Sequence, residues 1–402
     1  MTTVLLGLPG RPPAPAVATG SPSTPLTGAR PADQRLVDTF GRVATDLRVS
    51  LTDKCSLRCT YCMPPEGLDW LPGEQVLNDA EVIRLITIAV ERLGVEEVRF
   101  TGGEPLLRRG LEKIVSATAQ LRTASGTAPI TALTTNGIGL AKRATALRDA
   151  GLNRVNVSLD TLDRARFLQI THRDRLDDVL AGLAAAATAG LGPIKVNTVL
   201  LPGVNDDEAV PLLRWAVEHG YELRFIEQMP LDAQGAWERS RMITAEQILT
   251  ALSSGFELTG TDPAQRGAAP AQTWYVGPPK PADNPQPSPD AGATGPADAA
   301  TDPGTARTTA DDVERPRVGI VASVTRPFCG DCDRTRLTAD GQIRDCLFAR
   351  GETDLRDLMR SGADDDRLAE VWRTAMWGKQ PGHGINDPSF LQPDRPMSAI
   401  GG

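Results

Sequence analysis

The feature that most constrains this chain is a strand-like run that recurs six times between residues 46 and 229. The six runs are LRVSL, VEEVRF, ITALTT, RVNVSL, IKVNTVLL and ELRFIEQM. A stretch of helical periodicity follows each of the first five, for example the segment from Asp79 to Gly94. Strands that alternate with helices favour parallel pairing, and six units suit a barrel with an open side better than a complete eight-fold barrel. We therefore predict an α/β fold, an open partial (β/α)6 barrel of the TIM type.

Polar residues and glycines cluster where these runs end. Cys55 follows the first run, TGGEP begins at Thr101 after the second, and TTNG begins at Thr134 after the third. Later ends carry SLD from Ser158 and EQM from Glu227. The carboxyl ends of the strands form the active-site face of a β/α barrel. We expect the chemistry of this protein to lie there.

Two segments are rich in Pro, Ala, Ser, Thr or Asp and poor in aliphatic residues. They run from Gly7 to about Asp33 and from Pro278 to Arg315. Neither can bury enough apolar surface to offset the conformational entropy lost on ordering. We therefore predict disorder over residues 1–35 and 278–315. The alternative is an ordered Pro-rich arm that binds a partner.

The second of these segments separates two runs of strand character. The run QTWYV ends at Val276 and the run RVGIVASV begins at Arg317. We predict that they form a hairpin, whose long loop is tolerable because the closure cost grows only with the logarithm of length. The domain prediction is a barrel over residues 36–230 and a C-terminal domain over residues 231–402.

The charge balance limits the partners of the chain. Its 402 residues carry 43 Lys and Arg against 51 Asp and Glu, a formal net charge of -8. An acidic protein has no overall attraction for nucleic acid or for an anionic membrane, so a phosphate site would need a local basic cluster. The N-terminal apolar run lacks the basic start of a secretory signal, and no apolar stretch is long enough to span a bilayer. We expect a cytoplasmic protein that binds neither nucleic acid nor membrane.

Six cysteines form two triplets with the spacings C-x3-C-x2-C and C-x2-C-x13-C. The two sets are Cys55, Cys59 and Cys62, then Cys329, Cys332 and Cys346. Cytoplasmic cysteines are more often metal ligands or reduced thiols than disulfides. Three thiolates can hold three irons of a [4Fe–4S] cluster and leave the fourth iron open to a small molecule. Zinc with a fourth ligand from elsewhere is the alternative for each triplet, although no histidine lies near either triplet in sequence.

Several motifs together carry a family resemblance. The run CSLRCTYC, followed by a strand that ends in GGEP, resembles the radical S-adenosylmethionine (SAM) enzymes. The second triplet, the run CDRTRLTADG and the terminal IGG narrow the resemblance to the GTP 3',8-cyclase family of molybdenum-cofactor biosynthesis. The similarity covers about residues 35–402 apart from the two segments predicted to be disordered. It implies a radical SAM core, SAM itself and two [4Fe–4S] clusters, the second in the C-terminal domain.

The resemblance also implies roles for individual residues, beginning with the six cysteines as cluster ligands. The residues implied to contact SAM are Tyr61, Gly103, Ser158 and Met229. The residues implied to contact GTP are Arg48, Arg99, Thr134, Lys195, Arg334, Thr335 and Arg336. The residues implied to be catalytic are Arg48, Gly401 and Gly402. Arg48 would assist the closing reduction and protonation, and the two glycines would reach into the site.

These residue types suit the implied chemistry. Glycine lets backbone groups approach the methionyl amine, and methionine packs softly against adenine. Arginine forks make the strongest contacts to phosphate, and Arg334 and Arg336 alternate, so they project from the same side of an extended segment. Asp333 stands where members of the family commonly carry asparagine, and it adds a negative charge beside Arg334.

The implied reaction begins with abstraction of the ribose C3' hydrogen of GTP by a 5'-deoxyadenosyl radical. Attack of C3' on guanine C8 then gives 3',8-cyclo-7,8-dihydroguanosine 5'-triphosphate. No side-chain base abstracts such a hydrogen near neutral pH, and the sequence has neither a Walker phosphate loop nor a Ser-His-Asp set. The expected partners are GTP, an external electron donor and a downstream pyranopterin-forming enzyme, and we also consider a homodimer.

Two alternatives remain. The chain could be a radical SAM enzyme that modifies a peptide with the help of an auxiliary cluster. It could also be an iron–sulfur or zinc regulatory protein that binds nucleic acid through Arg334 and Arg336. The Arg-Thr-Arg run and the terminal Gly-Gly speak against the first alternative, and the acidic charge balance speaks against the second.

Overall fold

The computed structural model describes Pro25, residues 28–280 and residues 315–401. Most of the two segments predicted to be disordered, and Gly402, therefore lie outside the described residues. The described start of the second segment belongs to a strand, which continues to Pro279.

Strands and helices alternate through the first part of the chain, as the sequence predicts. The strands are β1 (Asp46–Ser50), β2 (Glu97–Thr101), β3 (Ile130–Thr135), β4 (Arg154–Ser158), β5 (Lys195–Thr198) and β6 (Glu222–Ile226). The helices are α1 (Asp79–Arg92), α2 (Leu111–Ala119), α3 (Leu140–Asp149), α4 (Arg164–Thr171), α5 (Leu176–Thr188) and α6 (Ala209–Glu218). The six strands pair in parallel in chain order.

Helix α1 illustrates how the local sequence sets these units. The Asn78 side chain accepts a hydrogen bond from the Glu81 amide at 3.0 Å, and the Glu81 carboxylate accepts one from the Asn78 amide at 2.8 Å. This capping box satisfies two backbone donors at the start of the helix. The apolar positions then recur at helical spacing and are buried, namely Val82, Leu85, Ile86, Ile88, Ala89 and Val90. The periodicity read from the sequence thus becomes the face of the helix that packs in the core.

The later part of the chain adds six more strands and four helices among the described residues. These are α7 (Ala245–Gly255), β7 (Phe256–Gly260), β8 (Gln272–Pro279), β9 (Arg317–Val321), β10 (Arg334–Leu337), β11 (Gln342–Arg344), β12 (Thr353–Asp354), α8 (Arg356–Arg360), α9 (Asp365–Trp377) and α10 (Met397–Ile400). The predicted hairpin is present, because β8 and β9 pair antiparallel with Gln272 opposite Ile320. Our proposed domain boundary at residue 230 falls between β6 and α7.

The twelve described strands form one sheet in the order β12-β11-β10-β1-β2-β3-β4-β5-β6-β9-β8-β7. Strand β10 pairs in parallel with β1, and β9 pairs in parallel with β6. The C-terminal part therefore extends both edges of the six-stranded centre. The sheet ends at β12 and β7, which do not pair with each other, so the barrel is open as predicted.

The central strands separate an apolar face from a polar one. In β1, Leu47 and Val49 are fully buried in the hydrophobic core, whereas Asp46 and Arg48 line a cavity. This alternation follows from the two-residue period of a strand. No helix of the described residues is long and apolar enough to cross a membrane.

Candidate active site

A cavity of about 640 Å³ lies against the polar face of the central strands. It is lined by the first cysteine triplet and by all four residues implied to contact SAM, Tyr61, Gly103, Ser158 and Met229. It is also lined by six of the seven residues implied to contact GTP, Arg48, Arg99, Thr134, Lys195, Arg334 and Arg336. Residues that are as much as 288 positions apart in the chain, from Arg48 to Arg336, thus line one cavity.

The loop of the first triplet lies between β1 and α1 and is held by backbone contacts. The amides of Arg58 and Thr60 each donate to a carbonyl at the end of α4, at 2.9 Å, to Thr171 and Ile170 respectively. The Asn136 side-chain amide lies 3.7 Å from the sulfur of Cys55. The loop is therefore positioned by two neighbouring units of the barrel before any metal binds.

The glycines after β2 are required by the close approach of this loop. Gly102 has a φ of +142°, and a Cβ on Gly102 or Gly103 would overlap backbone oxygens of residues 52–54. The Gly103 amide already donates to the Thr52 carbonyl at 2.7 Å. Because this amide is already used, the Gly103 carbonyl is the backbone group that can accept a hydrogen bond from a methionyl amine. The sequence argument gave the glycines only the role of admitting a ligand, whereas the structure shows that they also admit the cysteine loop.

Glu104, the next residue, joins two strand ends. Its carboxylate accepts hydrogen bonds from the Leu106 amide at 2.8 Å, the Thr135 hydroxyl at 2.7 Å and the Asn136 amide at 2.7 Å. Burial raises the pKa of Glu104 to about 7, although these hydrogen bonds oppose the shift. The acid therefore fixes the GGEP turn against the following TTNG turn.

Tyr61 is fixed beside the first triplet by a buried acid. Its hydroxyl donates to Asp160 at 2.7 Å, and the same carboxylate accepts the Val199 amide at 2.8 Å. Burial raises the pKa of Asp160 to about 6. This contact orients the tyrosine side chain in the cavity lining, and Asp160 itself lies two residues along the chain from Ser158, which is implied to contact SAM.

The thiols of the first triplet are held in their protonated form in the absence of metal. Burial is the main cause that raises the pKa of Cys55 and of Cys59, and it raises the pKa of Cys62 to about 12. Iron binds the thiolate, so loading this site must release the thiol protons.

Strand register aligns the cationic side chains across the sheet. Arg48 of β1 lies opposite Arg336 of β10 on one side and opposite Arg99 of β2 on the other. In parallel strands, residues in register point to the same face. A second row runs from Thr134 through Asn156 to Lys195. The two rows therefore place five of the seven residues implied to contact GTP in adjacent strands on one face of the sheet.

Several polar atoms around these rows are buried without a hydrogen-bond partner. They include the Nε atoms of Arg48, Arg99, Arg154 and Arg334, and the side-chain oxygens Oδ1 of Asp46 and Asn156. A buried polar group without a partner costs about 1–3 kcal/mol, and more when it is charged. So many orphaned donors on one cavity wall indicate a site built for a polyanion that has many acceptor oxygens.

The crowding of cations also lowers their pKa values. Burial, followed by the charge of Arg48, lowers the pKa of Arg99 and of Arg336 to about 9 in each case. Burial, followed by the charge of Arg224, lowers the pKa of Lys195 to about 8. An anionic ligand would relieve both the desolvation and the repulsion, and it would raise all three pKa values.

Thr335 is the one GTP-contacting residue implied by the resemblance that the structure does not bring to the cavity. Its side chain is fully buried, and its hydroxyl accepts a hydrogen bond from the Trp372 indole at 3.0 Å. Since Arg334 and Arg336 face the cavity, the residue between them in strand β10 must face the other way. Thr335 anchors α9 beneath the strand.

The second triplet is assembled from two segments beside β10. Cys329 and Cys332 bracket a short turn that leads into β10, and Cys346 follows β11. Cys346 borders a second cavity of about 410 Å³ together with Phe348 and His383. The Lys379 ammonium lies 3.3 Å from the sulfur of Cys332.

The chain terminus reaches the same site. The Gly401 carbonyl accepts a hydrogen bond from the buried Arg336 guanidinium at 2.5 Å. Gly401 has a φ of +83°, and a Cβ there would overlap the Ser50 hydroxyl. Ile400 is fully buried and packs in a cluster with Leu231. The terminus is therefore docked through Gly401, whereas Gly402 lies outside the described residues.

The sequence argument missed cavity residues that carry no motif. Arg154, Asn156 and Arg224 line the cavity. Asp46 also lines it, 3.3 Å from Arg48, and it accepts a hydrogen bond from that arginine. The sequence signal that could have found them is the alternation of polar and apolar residues along the strands, since the polar positions share one face. Asp333 lines the cavity as well, and its Oδ1 is buried without a partner.

The donor sets fit the two iron–sulfur clusters. All six cysteines are free and half-buried, and thiolate is the ligand that such clusters take. Each triplet supplies three thiols, which leaves one iron of a [4Fe–4S] cluster without a protein ligand. Among residues 28–280 and 315–401, no group of three His, Cys, Asp or Glu side chains is gathered around the position of a single metal ion.

Two family models match the chain. Residues 49–216 match the Radical SAM superfamily, and residues 292–385 match the family described as Molybdenum Cofactor Synthesis C. The first match contains β1 through α6 nearly completely, and the second contains the second cysteine triplet.

The chain also has close relatives that are named GTP 3',8-cyclase. The protein from Streptomyces coelicolor is 59% identical over 367 residues, which cover 91% of this chain and 96% of the relative. The protein from Mycobacterium sp. (strain KMS) is 56% identical over 402 residues, which cover 100% of both chains. The protein from Corynebacterium glutamicum is 56% identical over 369 residues, which cover 91% of this chain and 89% of the relative.

Solved structures of Streptococcus suis SuiB share the fold. The form bound to S-adenosylmethionine has a TM-score of 0.51 at 13% identity and covers 86% of this chain and 69% of that chain. The form bound to precursor peptide SuiA has a TM-score of 0.52 at 12% identity and covers 88% and 75%. These likenesses concern the fold alone. The identity and coverage of the sequence relatives show more: the chain belongs to the GTP 3',8-cyclase family of radical SAM enzymes.

Proposed function

We propose that this chain converts GTP to 3',8-cyclo-7,8-dihydroguanosine 5'-triphosphate, the first step of molybdenum-cofactor biosynthesis. The reaction joins C3' of the ribose to C8 of the guanine within one molecule. It needs a hydrogen acceptor at C3' and a closed site that protects carbon radicals. A side-chain base cannot supply the first requirement near neutral pH.

One observation carries the proposal: the first cysteine triplet and the orphaned arginines line the same cavity. A radical must be produced next to its substrate, because it reacts with whatever lies closest. The triplet defines one end of the cavity, and the arginine row of β10, β1 and β2 defines a site for a triphosphate. The proposal follows from their proximity together with membership of the family.

The cofactors divide between the two triplets. Cys55, Cys59 and Cys62 would hold the first [4Fe–4S] cluster, and Cys329, Cys332 and Cys346 would hold the second. When bound, the first cluster and SAM supply the 5'-deoxyadenosyl radical that takes the C3' hydrogen. Tyr61, Gly103, Ser158 and Met229 would position SAM, the glycine through its carbonyl and the methionine against the adenine.

The chain's own residues would bind and orient GTP. Arg48 and Arg99 would pair the triphosphate oxygens with Nε donors that lack a hydrogen-bond partner, and Arg336 lies in register beside Arg48 in the same row. Lys195 extends this cationic wall from β5. Arg48 is steadied by Asp46 at 3.3 Å and would donate toward the cyclised base as that base takes up one electron and one proton.

The terminal residues would close the cavity. The Arg336 guanidinium donates a hydrogen bond to the Gly401 carbonyl at 2.5 Å. Met397 and Ser398 of α10 line the cavity. The tail thus excludes water from the reacting atoms. Gly402 is proposed to act with Gly401, on the resemblance alone.

Each turnover needs two electrons, one to cleave SAM and one to reduce the cyclised radical. We therefore propose an external low-potential electron donor and a separate downstream enzyme that forms the pyranopterin. A cytoplasmic location and a homodimer also remain proposals. Free thiols in both triplets agree with a reducing compartment.

The test is an anaerobic incubation of the reconstituted protein with SAM, a reductant and GTP deuterated at C3'. We expect deuterium in the 5'-deoxyadenosine, read by mass, together with the cyclic product. Unlabelled 5'-deoxyadenosine at the same yield would show radical chemistry on a different substrate, such as a peptide. No 5'-deoxyadenosine from protein with full iron content would overturn the proposal.

A further inference from the structure

Lys379 occupies an unusual position beside the second triplet. It follows α9, and its side chain is only 3% exposed. Its ammonium lies 2.8 Å from the Arg334 carbonyl, 3.2 Å from the Cys332 carbonyl and 3.3 Å from the Cys332 sulfur. An ammonium has three donors, and all three point at the segment that carries Cys332 into β10.

The charge of this lysine has no carboxylate partner. Among the described residues no Asp or Glu lies within the 4.0 Å of an ion pair, although the carboxylates of Asp333 and Asp345 are near enough to attract the ammonium at longer range. Burial of a lone ammonium is costly unless a negative group answers it. The anion within reach is the Cys332 sulfur, which is a thiolate when it ligates iron.

The lysine is also held rigidly. Trp372 of the same helix α9 donates to Thr335 at 3.0 Å, so the helix is pinned to β10. Arg42 donates to the carbonyls of Gln380 and Cys329, each at 2.6 Å. The lysine therefore sits between two anchored segments and keeps a fixed distance to the sulfur.

We propose that Lys379 is a positioning residue that sets the reduction potential of the second cluster. The inference rests on the cofactor content of the proposed function. Adding one electron makes the cluster more negative by one charge, and a fixed ammonium with an N–H to S hydrogen bond favours that reduced state. Lys379 thereby raises the reduction potential and makes the second cluster the easier one to reduce.

The surroundings of the first triplet lack this feature. The side chain that contacts the Cys55 sulfur is the neutral amide of Asn136, at 3.7 Å, and the nearby cation Arg58 donates to the Cys55 carbonyl at 2.7 Å. The buried acids Glu104 and Asp160 lie close to that loop. Nearby negative charge disfavours an added electron, so a cluster in those surroundings has a lower reduction potential. A low potential suits a cluster that must give its electron to SAM.

The test isolates the second cluster in the full-length chain. The Cys55→Ala, Cys59→Ala and Cys62→Ala changes are combined, and the cluster that remains is titrated with a one-electron reductant and followed by electron paramagnetic resonance, without GTP. Into this background Lys379→Met, Lys379→Arg and, as a matched control, Lys113→Met on the exposed face of α2 are introduced.

We expect Lys379→Met to lower the midpoint potential by the equivalent of about a tenfold change in the reduction equilibrium, about 59 mV for one electron. Lys379→Arg, which keeps the charge, should remain near the parent, and Lys113→Met should equal it. A Lys379→Met protein with full iron content and the parent midpoint would overturn the proposal.

A loss of the cluster is also decisive. If Lys379→Met holds no iron, then Lys379→Gln is titrated in its place. If both neutral variants lose the cluster and Lys379→Arg keeps it, the positioning role is supported. If Lys379→Arg loses it as well, the charge is not what matters and the proposal fails. None of these readouts uses GTP turnover, so they stand apart from the test of the proposed function.

Discussion

The two cysteine triplets use the same ligand set, but only the second has a lysine ammonium in contact with a sulfur among the described residues. The first lies among buried acids, with Glu104 and Asp160 at the neighbouring strand ends. The second has an ammonium on a sulfur, since Lys379 lies 3.3 Å from the Cys332 sulfur, whereas the cation beside the first triplet, Arg58, contacts the Cys55 carbonyl. The difference teaches that ligand identity alone does not assign a role to a cluster. The charges around it decide whether it gives an electron away or holds one.

The substrate cavity follows the same division. We assign SAM to the part of the lining that holds a tyrosine, glycines, a serine and a methionine, and GTP to the part that holds arginines and a lysine. SAM carries a positive sulfonium, and GTP carries several negative charges. The cationic residues therefore match the charge of GTP, and the residues that we assign to SAM include no cation that would repel its sulfonium.

The largest expected effect separates the two clusters. Cys59→Ala should reduce 5'-deoxyadenosine formation to background, because the first cluster is needed to cleave SAM. Cys332→Ala should still form 5'-deoxyadenosine but no cyclic product, because the variant would lose the second cluster, which we expect to hold the guanine at its open iron and to relay the electron that reduces the cyclised radical. Mass analysis of both products in one incubation measures this. Cyclic product from Cys332→Ala would break the comparison.

A smaller effect separates the two ends of the cavity. Arg48→Ala removes charge-assisted hydrogen bonds worth roughly 1.5–3 kcal/mol, so GTP should bind about 10- to 100-fold more weakly while SAM binding is unchanged. Met229→Ala should weaken SAM binding and leave GTP binding unchanged. Anaerobic calorimetry gives both affinities.

The exposed Arg109 provides the control for this pair, since it lies outside the cavity lining. Arg109→Ala should bind both ligands normally. Equal GTP affinity in Arg48→Ala and the parent would show that the arginine row is not the triphosphate site.

The smallest effect is a pH dependence at the GTP end. The pKa of Lys195 is lowered to about 8 by burial and then by Arg224, and bound triphosphate would raise it. GTP affinity should therefore be constant below about pH 8. Above that it should fall by at most tenfold per pH unit for one proton, because binding must then take up a proton.

Lys195→Arg should remove the part of this decline that begins near pH 8, since arginine keeps its charge there, and should leave only the part due to Arg99 and Arg336, whose pKa values are lowered to about 9. SAM affinity should show no such decline over the same range. Phosphate ionisation, with a pKa of about 6, is nearly complete from pH 7 upwards and contributes little. A GTP affinity that stays level through pH 9 in the parent would argue against a cationic Lys195 in the site.

Much of the fold could be predicted because its signals are local. The strand runs, the capping box at Asn78 and the glycines at strand ends each act over a few residues. The cysteine spacings are local as well. The contributions of Arg154, Arg224 and Lys379 could not be read in this way, since each is an isolated charged residue without a motif.

The sequence by itself determined the parallel β/α order, the open six-unit barrel and the two thiol triplets, and its family resemblance pointed to part of the set of cations around the cavity. Only the tertiary structure decided which of these side chains meet. Strand β10 pairs with β1 across 288 positions from Arg48 to Arg336, and that register puts Arg336 beside Arg48 and turns Thr335 toward Trp372. It also brings α9, and with it Lys379, against the sulfur of Cys332. Local patterns specify strands and helices, but contacts between distant segments depend on sheet register and helix packing, which no short stretch of sequence encodes.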